Sequence, residues 1–230
     1  MHWKLPSAIV FAAMVLLAIP AAQSLLCAFA ARAIYARTPQ AATASTPSVF
    51  GEKLHIPGLP NAGKISDHLY RGAQPHRGGL AQLKAQGITV TTVVDLRSED
   101  SADSDWEQKE AESLGIHFVS IPVGAWSPPS SDQIVQFLSL FREGSKETVF
   151  VHCRRGEDRT GVFVATYRIA MQKWPVGQAI SEMYFFGFSG FWHPSMRTFV
   201  SDFPALLDSV PALKSLSIPN PSVSAIAQPN

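Results

Sequence analysis

The sequence contains little cysteine and almost no excess of charge of either sign. Its two cysteines, Cys27 and Cys153, lie far apart in a chain of 230 residues. This count excludes both a disulfide framework and a zinc site built from cysteine ligands. The formal net charge is +1, so the chain has no overall field that would recruit nucleic acid. Any anion that the protein binds must therefore be held by a local arrangement of residues.

Charged residues are absent from Leu5 to Ala31, and this run is mostly apolar. Lys4 precedes it, and small residues that suit signal-peptide cleavage lie near its end, so a secretory signal peptide fits. An uncleaved membrane anchor fits equally, because the run is long enough to span a bilayer. On either interpretation we expect an exported domain, which is periplasmic or secreted, or attached to the membrane and outside the cytoplasm.

Composition divides the rest of the chain into a folded domain and two flexible segments. Apolar residues make up 46% of the chain and charged residues 16%, which is ordinary for a folded protein. Small polar residues and proline dominate 38–48 and the last stretch of the chain, as in linkers and disordered tails. The predicted divisions are 1–37 for the signal peptide or membrane anchor, 38–49 for the linker, 50–213 for the domain and 214–230 for the disordered tail.

Between residues 50 and 213, segments of strand character alternate with segments of helical character. The predicted strands are 68–72, 89–97, 117–123 and 148–152. The predicted helices are 78–87, 105–115, 131–141, 160–172, 175–186 and 195–207. Ser131 or Asp132 is the candidate N-cap of the third helix. This alternation indicates an α/β sheet, in which functional sites lie at the carboxyl ends of strands.

The segment HCRRGEDRTG, residues 152–161, follows the last predicted strand and leads into a helix. Its backbone N–H groups, with Gly156 in the loop and a helix N-terminus near Thr160, form a cradle for an anion. Arg159 supplies a planar fork that grips two oxygens of a phosphate. The same features favour the thiolate form of Cys153, and a thiolate inside such a cradle is a nucleophile aimed at phosphorus. This arrangement suits phosphoryl transfer through a phosphocysteine.

The same segment matches the His-Cys-x5-Arg-Ser/Thr signature, and through it the chain resembles the cysteine-dependent protein tyrosine and dual-specificity phosphatases. The likeness extends to LYRGAQP, to GLAQLKAQGITVTTVVDLRSE and to the strand that ends in IPV. It is similar to the compact bacterial dual-specificity group and to its plant and fungal atypical relatives, over about residues 64–205. The resemblance implies a dual-specificity phosphatase-like α/β fold, with a central mixed sheet flanked by helices, and chemistry without a metal or cofactor. It does not imply strict phosphotyrosine specificity, because no equivalent of the tyrosine-rich recognition loop is present.

The candidate site residues come from this loop. Cys153 is the predicted nucleophile, Arg159 stabilises the transferring phosphoryl group, and Asp158 is the predicted general acid. His152 is predicted to support the loop through its ring nitrogens. The residues predicted to bind substrate are Arg154, Arg155, Gly156, Glu157 and Thr160, the last with a hydroxyl that can hydrogen-bond the sulfur.

Two aspartates compete for the role of general acid. Relatives place that residue in the loop after the strand that precedes the cradle strand, which here is IPVGAWSPPSSDQ and contains only Asp132. Other phosphatases of this mechanism, especially those acting on inositol phospholipids, carry an aspartate directly before the cradle arginine, as Asp158 stands here. We therefore predict Asp158 as the acid. The alternatives are Asp132, and an Asp158 that only pairs with an arginine and shapes the loop.

Structural roles are expected for three side chains outside the loop: Arg71, Arg97 and His193. Trp126 is expected to form a wall of the pocket, because its loop should flank the cradle. A set of aromatic residues is expected in the core and not on a lipid-binding patch: Phe185, Phe186, Phe188, Phe191 and Trp192. The side chains of Arg154 and Arg155 are either solvated surface charges or contacts for a polyanionic substrate.

Other functions fit the sequence less well. A rhodanese-like sulfur transferase has a shorter loop between cysteine and arginine, and an arsenate reductase needs partner cysteines that the chain lacks. A phosphate-binding pseudoenzyme would not need the intact pair of Cys153 and Arg159. We expect the substrate to be a phosphorylated protein or a small polyanionic phosphoester, such as an inositol phosphate or a phospholipid head group.

Overall fold

The computed structural model describes residues 50–99 and 101–217. The expected signal peptide or anchor, the linker and most of the expected tail lie outside these described residues. Within the part of the chain that is described, no helix is both long and apolar enough to cross a membrane.

Six strands and seven α-helices occur in the described residues. The strands are β1 (Glu52–Lys53), β2 (Gly63–Lys64), β3 (Leu69–Ala73), β4 (Thr92–Arg97), β5 (His117–Val123) and β6 (Val149–Cys153). The helices are α1 (Gly79–Ala85), α2 (Ser101–Ser113), α3 (Ser131–Leu138), α4 (Asp158–Gln172), α5 (Val176–Phe185), α6 (Pro194–Ser209) and α7 (Pro211–Leu216). A short 3₁₀ helix, Ser139–Phe141, extends α3.

The strands form one mixed sheet with the order β1-β2-β3-β6-β4-β5. Strands β1, β2 and β3 pair antiparallel, whereas β3, β6, β4 and β5 run parallel. β6 lies inside the sheet, with Ala73 opposite Cys153 on one side and Asp95 opposite His152 on the other. The carboxyl ends of three parallel strands therefore meet at one edge. This architecture confirms the mixed α/β sheet expected from the sequence.

Alternating side chains along the strands build a separate core on each face of the sheet. Val149 and Val151 of β6 face the larger core with α3 to α7, while Phe150 between them faces the smaller core with α1 and α2. Helix α4 belongs to the larger core and is buried from Asp158 to Met171. A helix that is buried all round is fixed by packing, so the start of α4 is a rigid support for the loop before it.

The N-cap of α3 is Ser130, which corrects the expectation of Ser131 or Asp132. The Ser130 hydroxyl accepts a hydrogen bond from the backbone N–H of Gln133, at 3.2 Å, and the Gln133 side-chain oxygen accepts one from the Ser130 N–H, at 2.7 Å. This reciprocal pair is a capping box, and the S-x-x-Q spacing in the sequence carries its signal. Asp132 lies in the first turn of the helix instead.

Other elements also differ from the sequence-based expectations, and the short strands β1 and β2 were not expected. β4 begins at Thr92 and α2 at Ser101, where the predicted strand and helix begin at 89 and 105. Helix α7 was not expected, and it continues the fold past residue 213 into the predicted tail. Pro211 starts this helix, as its fixed φ favours at a first helical position, and the fully buried Leu213 anchors it in the larger core.

Candidate active site

Strand β6 carries Cys153 to the edge of the sheet where the parallel strands end. All five residues of β6 are buried, and Cys153 is 3% exposed. The chain then turns through residues 154–157 and enters α4 at Asp158. Gly156 has φ +67°, a left-handed conformation that favours glycine, and a Cβ at this position would collide with the backbone of Gly72. The loop therefore needs glycine here for two separate reasons.

Two side chains from distant parts of the chain brace this loop. The side-chain amide of Asn61 donates to the carbonyls of Gly156 and Phe186, each at 3.1 Å, and to that of Arg155 at 3.3 Å. The fully buried Arg71 donates to the Gly156 carbonyl, and its guanidinium lies 4.1 Å from the ring centroid of Phe186. Burial lowers the pKa of Arg71 to about 10, so the guanidinium stays charged at neutral pH. The expected supporting role of Arg71 is confirmed, whereas sequence reasoning missed Asn61.

Arg159 lies one residue inside α4 and is 6% exposed. Its two terminal nitrogens donate to the two carboxylate oxygens of Glu99, at 2.9 and 2.6 Å, and one of them also donates to the Val123 carbonyl at 3.1 Å. Burial is the largest influence and works against the charge on Arg159, but the hydrogen bonds with Glu99 and the nearby charges of Cys153, Glu99 and Asp95 together outweigh it and raise the pKa of the guanidinium. The same bonds lower the pKa of Glu99 to about 2. The guanidinium of Arg159 thus already binds a carboxylate through two parallel hydrogen bonds. It could bind two oxygens of a phosphate in the same way.

Cys153 lies close to two buried cations. Arg71 and Arg159 both interact electrostatically with a charged Cys153, one from β3 and the other from α4. Both guanidiniums have little access to water, so water screens their interaction with Cys153 only weakly. Thr160 is also fully buried, but within the described residues its hydroxyl has no hydrogen-bond partner. The expected bond from Thr160 to the sulfur is therefore not formed in this structure.

A buried ionic cluster lies behind the loop and contacts His152. The Nε2 atom of this fully buried histidine lies 2.7 Å from Glu107 Oε1, and its Nδ1 atom lies 3.9 Å from Asp95 Oδ1. Arg97 pairs with both carboxylates, at 2.8 Å each. Burial alone would raise the pKa of Asp95, but the hydrogen bonds from Arg97 lower it below its usual value. Arg97 thus supports the strand end, as expected. The ring nitrogens of His152 face this cluster and form no hydrogen bond within the described residues, so the expected support of the loop through them is not seen.

The same cluster offers donor atoms of the kind that metals take. Asp95, Glu107 and His152 present ligand atoms within 4.8 Å of one another. The guanidinium of Arg97, however, already bridges the two carboxylates and supplies the positive charge that a cation would bring. The donor set therefore fits the internal arginine, and we assign it no metal.

A cleft of about 700 Å³ opens above the cysteine. The loop contributes Cys153, Arg154, Arg155, Asp158 and Arg159 to its lining, and other segments contribute Ser98, Glu99, Ala125, Trp126 and His193. Arg154 and Arg155 are both exposed. Arg155 pairs with Glu157 at 2.8 Å and with Asp158 at 3.3 Å, whereas Arg154 has no ion pair within the described residues. Arg154 is therefore the free cation of the loop available to a substrate.

The two candidate acids occupy different places. Asp158 lines the cleft and is 8% exposed, whereas Asp132 is exposed on α3 and is not part of the cleft lining. The Asp158 Oδ1 atom accepts the backbone N–H of Ser189 at 3.0 Å, and Oδ2 lies 3.5 Å from Nε2 of His193. The structure thus brings Asp158, and not Asp132, to the nucleophile.

His193 and Trp126 form one side of the cleft. Their rings stack with centroids 4.8 Å apart, and Trp126 remains 67% exposed while His193 is 6% exposed. The expectation that Trp126 is a pocket wall is confirmed. His193 was expected to be a structural loop residue, but it lines the cleft, because the turn before α6 folds back onto the start of α4.

The aromatic cluster after α5 divides between core and surface. Phe186 and Phe188 are buried, at 1% and 4% exposure, as expected. Phe185, Phe191 and Trp192 are 40%, 84% and 64% exposed, so their expected core positions are wrong. Phe191 and Trp192 belong to the turn beside His193, where no helix or strand covers them.

The geometry described so far defines the class of protein. A cysteine at the end of a central parallel strand, a braced loop and a buried arginine at the start of the next helix are the parts of a cysteine-dependent phosphatase of the dual-specificity type. Comparisons with known proteins agree. Residues 61–189, more than half of the chain, match the family model described as DSP-PTPase phosphatase fused to NAD+ Kinase. The chain belongs to this family of phosphatase domains.

Individual relatives show the same relationship. The chain is 31% identical over 152 residues to the dual specificity protein phosphatase TpbA of Pseudomonas aeruginosa, covering 66% of this chain and 61% of that protein. It is 33% identical over 111 residues to the probable chloroplastic NAD kinase 2 of Oryza sativa, covering 45% of this chain and 11% of that protein. A crystal structure of P. aeruginosa TpbA aligns with a TM-score of 0.55 and 25% identity, covering 67% of this chain and 91% of that one. The chain thus spans less than two thirds of the length of these curated relatives.

Proposed function

We propose that this protein hydrolyses phosphate monoesters through a phosphocysteine intermediate. One observation carries the proposal: Cys153 lines a cleft together with the buried Arg159, and both Arg159 and the buried Arg71 interact electrostatically with it. The thiolate attacks phosphorus while the bond from phosphorus to the ester oxygen breaks, and the leaving oxygen takes a proton. Water then attacks the phosphocysteine, the phosphorus–sulfur bond breaks, and inorganic phosphate leaves with the thiolate restored.

The residues around the nucleophile stabilise the charge that develops on the phosphoryl oxygens. Arg159 is the bidentate donor in this proposal, and the backbone N–H groups of residues 154–158 complete the cradle. In the structure, the Arg159 guanidinium is hydrogen-bonded to Glu99. When the phosphate binds, Glu99 must either share the guanidinium with it or be displaced. Gly156 and Glu157 shape the loop, and Arg154 contacts further anionic groups of the substrate.

We propose a phosphorylated protein as the substrate, in keeping with the dual-specificity phosphatases that the chain resembles. Arg154 is the observation that favours a second candidate, a small polyanion such as an inositol phosphate or phospholipid head group. It is exposed, lines the cleft and has no ion pair within the described residues, so it suits a second phosphate. A phosphate-release screen on phosphotyrosine and phosphoserine peptides, inositol phosphates and phospholipid vesicles separates the two candidates.

Two substitutions test the chemistry itself. Cys153→Ser should abolish phosphate release and keep substrate binding, because the cradle remains and only the nucleophile is lost. Arg159→Lys should also lose most activity, since a point ammonium cannot reproduce two parallel hydrogen bonds. Turnover by Cys153→Ser close to that of the wild type would show that no phosphocysteine forms.

We assign the general acid to Asp158, because it lines the cleft and Asp132 does not. Protonation of the leaving oxygen contributes about 10²–10⁴-fold to turnover. Asp158→Asn should therefore lose far more activity on an alkyl phosphate than on an ester with a good leaving group, and Asp132→Asn should lose little on either. The reverse pattern between the two variants would move the acid to Asp132.

The export of the domain is a separate proposal that rests on the sequence alone. The charge-free run from Leu5 to Ala31 suits insertion into a membrane, with Lys4 retained on the cytoplasmic side. A reporter that works only outside the cytoplasm, fused after Asn230, should be active. Activity of a strictly cytoplasmic reporter at the same position would contradict export.

A further inference from the structure

We infer that His193 and Asp158 together form the proton donor of the reaction, with His193 as a second residue that acts with Asp158. This inference rests on the proposed phosphatase function and adds a catalytic residue to it. The observation behind it is the juxtaposition of a buried imidazole and a buried carboxylate, 3.5 Å apart, in the lining of the cleft that contains Cys153.

The surroundings of Asp158 fix its carboxyl group in the lining of the cleft. Its Oδ1 atom accepts the Ser189 N–H at 3.0 Å, and its Oδ2 atom lies 3.3 Å from the Arg155 guanidinium and 3.5 Å from Nε2 of His193. Of these three groups, only the imidazole of His193 can both give and take a proton during turnover. The contact between Oδ2 and Nε2 is therefore a route for a proton between the two residues.

The surroundings of His193 hold its ring in place beside the cleft. The ring stacks on Trp126 at 4.8 Å, and only 6% of the residue is exposed. Its Nδ1 atom is buried and has no hydrogen-bond partner within the described residues. Loop residues 189–193 are tied to the start of α4 by the Ser189 N–H, so the imidazole moves with Asp158 and not independently of it. Such fixed geometry is what proton transfer requires.

The loop that precedes α3 supplies no acidic side chain that could protonate the leaving oxygen. This loop flanks the cleft through Ala125 and Trp126, but residues 124–130 contain no acidic side chain. Trp126 instead contributes a ring that covers His193. The structure thus places an aromatic support where an acid would otherwise act, and supplies the imidazole from the turn before α6.

The pair can serve both halves of the reaction. In the first, the bond from phosphorus to the ester oxygen breaks, and the pair gives one proton to that oxygen. In the second, the pair accepts a proton from the attacking water as the phosphorus–sulfur bond breaks. The proton count is then restored, with the Cys153 thiolate and the protonated pair ready for the next ester.

The dependence of turnover on the leaving group tests this inference. We would measure kcat/KM of the full chain for a series of esters from 4-nitrophenyl phosphate to an alkyl phosphate. His193→Gln should lose about 10²–10³-fold on the alkyl ester and less than about 5-fold on the nitrophenyl ester, because only the poor leaving group needs a proton. His55→Gln, which changes an exposed histidine away from the cleft, should match the wild type on every ester.

A double-mutant cycle separates a pair from two independent residues. Asp158→Asn should show the same selective loss on the alkyl ester, and the double variant should be little worse than His193→Gln alone. Asp158→Asn also keeps the test open if His193→Gln does not fold, since the pair requires the leaving-group effect in either variant. An equal loss by His193→Gln on both esters, or a selective loss by Asp158→Asn with none by His193→Gln, would overturn the inference.

Cys153→Ser distinguishes failure of this inference from failure of the proposed function. It should abolish turnover of all esters, whatever the identity of the acid. If Cys153→Ser retains wild-type turnover, the phosphocysteine mechanism itself is wrong. If Cys153 is essential but the leaving-group series of His193→Gln and Asp158→Asn both parallel that of the wild type, the mechanism stands and the acid lies elsewhere.

Discussion

Replacing Glu99 by glutamine tests how strongly the cradle arginine depends on its carboxylate partner. Arg159 is almost fully buried, and Glu99 accepts hydrogen bonds from both of its terminal nitrogens. Glutamine keeps the shape of the side chain and removes its charge. It leaves the guanidinium of Arg159 with the main-chain carbonyl of Val123 but without a counter-charge. We expect the variant to fold and to be less stable than the wild type at neutral pH.

The size of the effect follows from the pKa of Glu99. The hydrogen bond from Arg159 lowers this pKa from 4.5 to about 2, which corresponds to about 3 kcal/mol at about 1.4 kcal/mol per pKa unit. The Glu99 side chain is 31% exposed, so solvent screens part of the interaction and we expect about 1–2 kcal/mol. Because the pKa is lower in the folded state, this contribution is complete above pH 4.5 and is lost as the pH falls towards 2.

Thermal unfolding at a series of pH values measures this contribution. At pH 7, Glu99→Gln should lower the Tm by about 2–8 °C, at about 2–4 °C per kcal/mol for a chain of this size. The difference from the wild type should shrink below pH 4.5. Glu143→Gln, in an exposed turn after α3, should leave the Tm unchanged at every pH. An equal Tm for Glu99→Gln and the wild type at pH 7, or a difference that does not change with pH, would refute the reasoning.

Further substitutions test the loop and the core. Gly156→Ala should abolish activity and lower stability, because the new Cβ would collide with the Gly72 backbone. Gly78→Ala is its control, because Gly78 has φ +81° but lies in open space. This variant should keep its activity and lower the free energy of unfolding by only about 1–2 kcal/mol. Glu182→Gln should cost about 3–5 kcal/mol, or a Tm fall of about 10 °C, because the carboxylate pairs with the buried Arg168 at 2.6 Å. The exposed pair of Lys64 and Asp67 is its control, and Asp67→Asn should leave the Tm unchanged. Activity of Gly156→Ala, or a Glu182→Gln Tm equal to that of Asp67→Asn, would contradict these expectations.

The sequence allowed the central part of the site to be predicted, because those residues are contiguous. Cys153, Arg159 and Asp158 lie within one turn of loop and helix, so their spacing alone indicates that they share a site. His193, Glu99 and Asn61 reach the same place from three distant segments, and no local pattern reveals that. Glu99 ends the run DLRSE, which was noted only as part of a family likeness. Whether these residues reach the site depends on which strand ends lie side by side, and that order is set by the whole sheet.

Burial was predictable for a continuous β-branched strand and not for an irregular turn. The run of residues 89–97 indicates a buried strand, and all six residues of β4 are buried. In the turn before α6 the aromatic residues follow no period, so composition alone suggested a core position for Phe191 and Trp192. Both lie on the surface, in a turn and not in a helix or strand. The same turn also carries His193, the residue whose role was most underestimated from the sequence.

The contacts of Gly156 with Gly72, and of Asn61 with the loop carbonyls, have a consequence for protein engineering. The ten-residue signature does not determine its own conformation, because contacts with β3 and with Asn61 also shape the loop. A graft of HCRRGEDRTG onto another strand–helix junction would carry the reactive side chains but not these contacts. The exposed side chain of Arg154 lines the cleft and has no ion pair within the described residues, so it takes no part in this bracing. Redesign of substrate choice is therefore better directed at Arg154 than at the residues that hold the loop in shape.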